Sequence, residues 1–492
     1  MKPHAVVTSG RRAVWAASLL AAALVGTAHA QSTTPRVVRQ AFDVDPGWES
    51  FRNRLAPEKP HQVKQDFGYR SSNFAGGQQA GEIGGRVQRS AAAAFYGLKI
   101  EPKSLDDRLS ASGKLAVASA EGASGAMVGW FHAPPPSWRT PNSVAFRLDG
   151  NGGKFWMFYE YGTRNWHTGG GGAFEGDRYQ TTVTPPFPAD GRVHTWKLDY
   201  DPEALDGRGL LTFVVDDRHY EVPLEKGHRE DGAILDHFGI WNVQTPGSEL
   251  ELYLDDLVVD GQRYAFDDDP QWDAEDNHAE YRERFVRPYH DYGYSPTAHA
   301  GGTPGEIGGV VFRDEQPTYY AAETARLSLD DELIASGKLA LLKGASDSGV
   351  YFGWFDSATK RGNQTPEHEQ RQKNYLAAFV EGPSRVGHYF RPGYACSDGS
   401  GRNASETSDA GRHWPIVSPD GAQHTWALHY RPQAADGNGQ IEITFDGQTD
   451  TFDLQPGDRA KGAAFDRFGI FNMQSGGHAV EIYLDDVSFS AQ

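Results

Sequence analysis

The chain has 492 residues, 23% of them charged, and a formal net charge of −19 at pH 7. An acidic balance of this size argues against nucleic acid and anionic membrane surfaces as partners. Because Cys396 is the single cysteine of the sequence, an intramolecular disulfide is excluded, and the core and the sheet hydrogen bonds must hold the fold.

Residues 1–30 have the pattern of an export signal. Lys2, Arg11 and Arg12 form a basic region, an apolar run covers 13–25, and residues 28–30 read Ala-His-Ala, a small-x-small cleavage site. The run is too short for a permanent membrane span, and no later stretch is apolar enough for one. We therefore predict an exported protein, periplasmic or extracellular, that uses the Sec route or, through its arginine pair, the twin-arginine route.

Two copies of one unit follow the signal. Similar sequences recur at an offset of 224 to 230 residues, and these are AFDVDPGW (41–48) and AFDDDPQW (265–272), GEIGG (81–85 and 305–309), HTW (194–196 and 424–426), FGI (238–240 and 468–470) and YLDD (253–256 and 483–486). A repeat along the whole length indicates a duplicated domain. We therefore predict two domains, 31–262 and 263–492, joined without a flexible linker.

The copies have the pattern of strands and turns. Glu249–Leu254 alternates polar and apolar residues, which is typical of a half-buried strand. Ile441–Phe445, Asp446-Gly447 and 448–454 predict a hairpin with a two-residue turn, and 210–215 with 219–222 predict its counterpart. We expect a helix only near the start of each copy, for example over Glu275–Phe285. The predicted fold is all-β, with two tandem β-sandwich domains.

Two segments resemble a known superfamily. FGIWNVQ (238–244) with ELYLDDL (251–257) and their copies FGIFNMQ (468–474) and EIYLDDV (481–487) are similar to the concanavalin A-like and laminin-G-like jelly rolls. HTWKLDYDP followed by GRGLLTFVVDD (194–202 and 207–217) resembles the core hairpin of such domains. The resemblance implies jelly-roll sandwiches that act on a poly- or oligosaccharide, as glycoside hydrolases, polysaccharide lyases or lectin-like modules.

Glu82 and Glu306 each lie within Gly-Glu-Ile-Gly-Gly. Glycine allows a ligand to approach the backbone closely, so a glutamate on a groove-facing strand would contact a sugar. The alternative is a buried glutamate paired with Arg89 or Arg313. Both interpretations stay open from the sequence.

The copies differ most between residues 131 and 193 and between 355 and 423, and divergent loops on a shared scaffold carry function. The predicted catalytic residues are Glu82, Glu160, Glu175, Tyr161 and His167. The predicted substrate-binding residues are Arg147, Trp156, Tyr159, Arg164, Trp166, Arg178, Gln244, Glu306, His388, Tyr389 and Arg391.

Three functions remain open. Glu160 paired with Glu175 or Glu82 would supply the carboxylates of a glycoside hydrolase, which is the leading hypothesis. Tyr161 and His167, with Arg147, would supply the groups of a polysaccharide lyase. A tandem carbohydrate-binding protein without catalysis is the third, since duplication of a weak site raises avidity.

No cofactor is predicted apart from a structural calcium ion. Asp43, Asp45, Asp267 and Asp269 would supply oxygen ligands, although they do not form an EF-hand loop. The alternative is that these aspartates stabilise the turn before the Pro-Gly or Pro-Gln pair.

Overall fold

The structure is a computed structural model. It describes residues 36–55, 61–136, 140–174, 187–283, 289–345, 347–358, 372–382, 388–405, 407–408 and 411–492, all within one compact unit, Pro35–Gln492. Over these ranges, no helix has the length and apolar character needed to cross a membrane.

Strands account for most of the described residues. Those of the first half of the chain are β1 (Val37–Gln40), β2 (Glu49–Phe51), β3 (Arg54–Leu55), β4 (His61–Lys64), β5 (Asp66–Arg70), β6 (Glu82–Gln88), β7 (Phe95–Lys103), β8 (Leu109–Ala120), β9 (Ser124–Phe131), β10 (Ser143–Gly150), β11 (Lys154–Gly162), β12 (Thr168–Gly172), β13 (Phe187–Pro188), β14 (Val193–Asp201), β15 (Leu210–Val215), β16 (Arg218–Pro223), β17 (Leu235–Asn242), β18 (Glu249–Val259) and β19 (Gln262–Tyr264).

Those of the second half are β20 (Asp273–Glu275), β21 (Glu280–Glu283), β22 (His290–Ser295), β23 (Glu306–Phe312), β24 (Tyr319–Ser328), β25 (Leu333–Gly344), β26 (Ser348–Phe355), β27 (Tyr375–Gly382), β28 (His388–Ala395), β29 (Gly401–Asn403), β30 (Ile416–Val417), β31 (Gln423–Arg431), β32 (Gln440–Phe445), β33 (Gln448–Asp453), β34 (Ala464–Asn472) and β35 (Ala479–Ser490). The short helices are α1 (Ala204–Gly207), α2 (His228–Asp231) and α3 (Asp458–Lys461).

Each domain has two antiparallel sheets, which we call front and back. The first domain has the front sheet β12-β11-β10-β9-β17-β7-β20, with β13 beside β11, and the back sheet β16-β15-β14-β8-β18-β6-β5, with β19 beside β18. The second domain has the front sheet β2-β24-β34-β26-β27-β28-β29, with β30 beside β28, and the back sheet β3-β22-β23-β35-β25-β31-β32-β33, with β1 beside β35. Strands β4 and β21 pair separately.

The chain passes back and forth between the two sheets of a domain. In the first domain β6 lies in the back sheet, β7 in the front, β8 in the back and β9 to β12 in the front. This alternation is that of a jelly-roll sandwich, and the predicted all-β fold is confirmed. The hairpins β15–β16 and β32–β33 and the alternating strand β18 also form where the sequence predicts them.

Each domain has its own hydrophobic core between its sheets, and the large aromatic side chains lie there. Trp130 and Trp196 are buried in the first core, and Trp354 and Trp426 in the second. Full burial of a side chain of this size contributes about 2 to 3 kcal/mol, so these tryptophans belong to the core that holds each sandwich.

The beginning of each sequence copy completes the sheets of the other domain. Strands β1, β2 and β3 pair with β35, β24 and β22 of the second domain. In return, β20 pairs with β7 of the first domain, and Trp272 stacks on Tyr96 at 5.8 Å. The boundary predicted at 262/263 therefore separates the sequence copies, while hydrogen bonds of both domains cross it.

The helix predicted over Glu275–Phe285 does not form in the described part of that segment. Residues 273–275 and 280–283 are strands β20 and β21, joined by a turn at 276–278. The prediction was wrong because the exposed backbone groups of β7 and β4 pair with this segment, and sheet pairing outweighs a weak local helix preference.

Candidate functional site

The front sheet of the first domain has one face in the core and one face turned away from it. Alternate residues of β11 belong to the core, and these are Phe155, Met157, Tyr159 and Tyr161. Side chains alternate along a strand, so Trp156, Phe158 and Glu160 lie on the opposite face. The structure thus separates the predicted residues Glu160 and Tyr161, which are adjacent in sequence, onto two faces.

Arg147 is the centre of a charged group on the outer face, which we call the Arg147 cluster (Arg147, Asp149, Phe158 and Glu160). Its Nε donates to Glu160 Oε1 at 3.3 Å, it pairs with Asp149, and its guanidinium lies 4.4 Å from the centre of the Phe158 ring. Burial opposes its charge, but Asp149 and Glu160 outweigh burial and raise the pKa of Arg147. Both carboxylates are bound to this guanidinium.

The second domain has an equivalent group, which we call the Arg391 cluster (Arg313, Phe379, Glu381 and Arg391). Arg391 donates to Glu381 at 2.6 Å and lies 4.9 Å from the Phe379 ring, while Arg313 donates to the other Glu381 oxygen at 3.3 Å. In both domains the arginine and the phenylalanine face each other across two paired strands. The strand that carries the arginine in one domain carries the phenylalanine in the other.

Glu82 and Glu306 are buried by loops on the outer face of the back sheets. Glu82 accepts hydrogen bonds from the backbone N–H of Phe74 at 2.9 Å and of Ala75 at 2.7 Å. Glu306 accepts equivalent bonds from His299 and Ala300. Since the core lies between the two sheets, the structure does not bring Glu82 and Glu160 together.

The arginines proposed as partners of these two glutamates bond elsewhere. Arg89 donates to Thr245, and Arg313 donates to Ser475 at 2.9 Å and to Glu381. Glu82 and Glu306 therefore each hold a loop through backbone hydrogen bonds and do not form the expected ion pairs with Arg89 and Arg313.

Tyr161 and His167 meet in a group at one end of the front sheet, which we call the His167 cluster (Tyr161, His167, His228 and Asp231). His167 Nδ1 bonds to Asp231, the Tyr161 hydroxyl lies 2.9 Å from His228 Nδ1, and the two imidazole rings stack with centroids 5.1 Å apart. Burial, and then His167, lower the pKa of His228. Burial acts in the opposite direction on Asp231, but hydrogen bonds from His167 and Asn165 lower its pKa.

The second domain keeps the scaffold of this cluster without its histidines. The hydroxyl of Tyr394 donates to Asp458 at 2.7 Å, and Lys461 forms an ion pair with the same carboxylate. Asp458 begins α3 as His228 begins α2. Among the described residues, the stacked histidine pair, His167 and His228, is therefore found in the first domain and has no counterpart in the second.

Three other predicted residues are not members of these three clusters. Arg164 lines a shallow cleft with Arg229 and Glu230, and Gln244 lines a cavity of about 230 Å³ between the two domains. His388 is buried against Gly344 and bonds to Ser348 Oγ at 2.9 Å.

The aromatic residues predicted to bind substrate are largely buried. Tyr159 packs on Phe213 in the core, Tyr389 is fully buried, and Trp156 and Trp166 are each 8% exposed. Glu175 and Arg178 lie outside the described residues. The pairing of Glu160 with Glu175 thus stays a prediction.

Sequence reasoning missed two partners of the His167 cluster, His228 and Asp231. They lie 61 and 64 residues from His167 in the chain, on a helix of four residues without a recognisable pattern. The second copy has Asp458 and Lys461 at the positions of His228 and Asp231. This difference between the copies is the signal in the sequence that marks the two residues.

No group of three or more His, Cys, Asp or Glu side chains is arranged for a metal ion within the described ranges. Asp45 accepts hydrogen bonds from Gly47 N and from the Tyr320 hydroxyl, both at 2.9 Å. Asp269 similarly accepts one from Gln271 N at 2.9 Å. These two aspartates stabilise the turns in which they lie.

Three solved structures are similar to this chain. The LG4–5 domains of the mouse laminin α1 chain share 12% identity over 89% of this chain and 93% of theirs, with a TM-score of 0.24. The carbohydrate recognition domain of Emp47p shares 14% identity over 40% of this chain and 88% of its own, with a TM-score of 0.26. The binding domain of botulinum neurotoxin DC in complex with SialylT shares 9% identity over 94% of this chain and 91% of its own, with a TM-score of 0.22.

Similarities at this level carry no argument about what this chain binds. No protein-family model matches the chain, and no curated protein matches its sequence. The functional argument therefore depends on the two jelly-roll sandwiches and on the side-chain clusters of their front sheets.

Proposed function

We propose that the chain is an exported carbohydrate-binding protein with one binding face on the front sheet of each domain. The observation that carries the proposal is the recurrence of the arginine–carboxylate–phenylalanine group at the same place in both domains, although the arginine and the ring have exchanged strands. A core contact needs only matching volume, whereas this group keeps its chemistry while its sequence positions change.

The chemistry of the group suits a sugar. A guanidinium and a carboxylate bond to sugar hydroxyl groups, and an aromatic ring packs on the apolar C–H face of a pyranose. Arg147 and Arg391 are 2% and 4% exposed, so a sugar would contact the outer edge of each group. The Arg147 cluster lies beside Trp156, which is 8% exposed, and the Arg391 cluster lies beside Tyr389, which is fully buried. Of these two neighbouring rings, Trp156 is the one that reaches the surface.

Binding fits the described carboxylates better than hydrolysis does. A glycosidase needs one carboxyl group that donates a proton and a second that acts as base or nucleophile. Asp149 and Glu160 both bond to the guanidinium of Arg147, and Glu82 lies beyond the core. Hydrolysis by Glu160 and Glu175 stays a prediction that Glu160→Gln and Glu175→Gln would test through the release of reducing ends.

The His167 cluster supports polysaccharide lyase activity as a second candidate. An aspartate-oriented histidine beside a tyrosine–histidine pair is an arrangement suited to proton transfer. The neutralising arginine proposed for this chemistry, Arg147, is not part of the cluster, because it faces away from the core that Tyr161 contacts. Loss of unsaturated uronate formation in His167→Ala and Tyr161→Phe would support the lyase.

The decisive experiment is a screen of the purified protein on neutral and uronic-acid glycans, with retention, reducing ends and ultraviolet absorbance measured together. We expect retention without either product. Arg147→Lys keeps the charge but loses the planar fork, so it should weaken retention about tenfold. Arg431→Lys is the matched control, because Arg431 forms a two-point pair with Glu442 on the back sheet. Silence in all three measurements would refute the proposal.

A further inference from the structure

We infer a second carbohydrate contact on the back sheet of the first domain, at a loop of residues 71–77 that we call the Phe74 loop. The inference deepens the proposed function and depends on it. Its ligand is a neutral pyranose unit of the same glycan class, stacked on the Phe74 ring.

The Phe74 loop is held in place by buried and polar partners from the sheet beneath it. Glu82 accepts hydrogen bonds from the Phe74 and Ala75 backbone, and Lys114 Nζ donates to the Gly76 carbonyl at 2.6 Å. The carboxylate of Asp255 lies directly against Gly77, where a Cβ atom would collide with it. A loop held at these points presents its tip in one geometry, which lowers the entropy cost of binding.

That tip carries an exposed aromatic ring. Phe74 is 54% exposed, and its ring lies 4.6 Å from that of Tyr253, which is buried. The Tyr253 hydroxyl donates to Glu251 at 2.6 Å, so the supporting ring is itself held in place. An isolated exposed apolar side chain is common on protein surfaces. Here the loop and Tyr253 hold the Phe74 ring in place, so it offers a fixed aromatic surface on which a pyranose can stack.

Polar side chains that can bond to sugar hydroxyl groups lie on the same face of the back sheet as the Phe74 loop. Arg86 lies 3.5 Å from Glu251 and remains half exposed, and Asn73 stands next to Phe74 in the loop. The cations of this surface are each paired with an acid: Arg86 with Glu251, and Lys114 with Asp256 at 2.8 Å. Since no positive charge is left over in these pairs, the surface favours a neutral sugar over a uronate.

The second domain repeats the glutamate and the tyrosine that support the loop, and it has a different residue at the tip. Glu306 accepts bonds from His299 N at 2.9 Å and Ala300 N at 2.7 Å, and the His299 ring lies 4.6 Å from Tyr483. Tyr483 donates to Glu481 as Tyr253 does to Glu251. Because the support is retained and the contact residue differs, we assign the choice of sugar at each loop to its tip residue, Phe74 or His299.

The test measures affinity for neutral oligosaccharides in the purified protein. Phe74→Ala should weaken binding about tenfold, equivalent to about 1.4 kcal/mol, without a change in melting temperature because the side chain is exposed. Leu205→Ala is the control: Leu205 is 52% exposed and lies in α1, outside the Phe74 loop and outside both front sheets. His299→Phe should add a second site of the first kind and raise the bound stoichiometry.

The outcomes separate this inference from the proposed function. If the wild-type protein binds no glycan, the proposed function fails and the inference fails with it. If the wild type binds and Phe74→Ala binds equally well, the Phe74 loop is not a contact, while the front-sheet proposal stands. Equal losses in Phe74→Ala and Leu205→Ala would also overturn the inference, since they would indicate a general effect of removing exposed apolar side chains.

Discussion

The guanidinium of Arg147 lies 4.4 Å from the ring centre of Phe158, directly across from it on the neighbouring strand. In the second domain the same two places hold Phe379 and Arg391, in reverse order. The pair is therefore interchangeable between strands as long as the nearby acid remains. Exchanging the arginine and the phenylalanine in the first domain tests this relationship directly.

Arg147→Phe alone should destabilise the first domain by about 3 to 5 kcal/mol, because it leaves Asp149 and Glu160 buried without their cation. The double variant Arg147→Phe with Phe158→Arg copies the order of the second domain and should recover most of that loss. Urea unfolding of the two single variants and the double variant measures the coupling. Additive losses would contradict the interchange.

Asp255 is expected to limit stability at neutral pH. Burial, together with Asp256 and Glu82, raises its pKa to about 6 from an ordinary value of 3.8. Since the folded state holds the proton more tightly, stability falls as the pH rises from 3.8 to 6, by up to about 3 kcal/mol. Asp255→Asn should remove this fall and stabilise the protein at pH 7, with no gain at pH 3.5, as measured by denaturant unfolding.

Its neighbour Asp256 provides a control of opposite sign. A hydrogen bond from Lys114 lowers the pKa of Asp256, so its charged form stabilises the fold above its ordinary titration range. Asp256→Asn should therefore lose stability at pH 7. The same direction of change in both asparagine variants would contradict the assignment of the two environments.

His388 should make the second domain sensitive to acid. Burial, and then Arg391, lower the pKa of His388 to about 4 from 6.5. The unfolded chain takes up a proton below pH 6.5 and the folded chain does not, so stability falls by about 1.4 kcal/mol per pH unit down to pH 4. Between pH 6.5 and pH 5 this amounts to about 2 kcal/mol.

His388→Gln should flatten this slope by the same amount in urea unfolding at pH 6.5 and 5. His219→Gln is the control, because His219 is largely exposed and pairs with Glu221 at the surface. An unchanged slope in His388→Gln would show that another group carries the acid sensitivity.

Trp48 should stabilise the second domain although it precedes the first in sequence. Its ring lies 5.8 Å from Tyr320 and 5.9 Å from Phe489. Trp48→Ala should destabilise the second domain by about 3 kcal/mol. Trp272→Ala should act on the first domain, where its ring stacks on Tyr96. Hydrogen exchange resolved by peptide would read each effect, and faster exchange of β8 or β14 in Trp48→Ala would contradict the assignment.

Local patterns predicted the strands well, and long-range pairing escaped them. The alternation of Glu249–Leu254 and the Asp446-Gly447 turn each lie within a few residues, so their structure follows from neighbours in sequence. The partner of His167 lies 64 residues away, and nothing near either residue marks the pair. Glu160 and Tyr161 are adjacent in sequence, but the strand places them on opposite faces of the sheet, so they do not belong to one site.

The first segment of each copy pairs with the other domain, and this could not be predicted from the sequence for a different reason. AFDVDPGW and AFDDDPQW are nearly the same, so each would fit either domain. Which domain each one completes depends on the path of the chain between the segment and the sheet. Glu82 shows a similar limit, since the Gly-Glu-Ile-Gly-Gly pattern is equally suited to a groove and to a buried loop support.

The pairing of β1 with β35 has a consequence for the order in which the molecule folds. Residues 61–283 supply every described strand of the first domain's two sheets, so that sandwich can form while the chain is still growing. The second domain joins Val37–Gln40 to 487–490, across nearly the whole chain, and closing a loop of that length is slow. Its first strand, with β2 and β3, must therefore wait unpaired until the second domain is synthesised, and during that interval these strand edges are open to a chaperone or to aggregation.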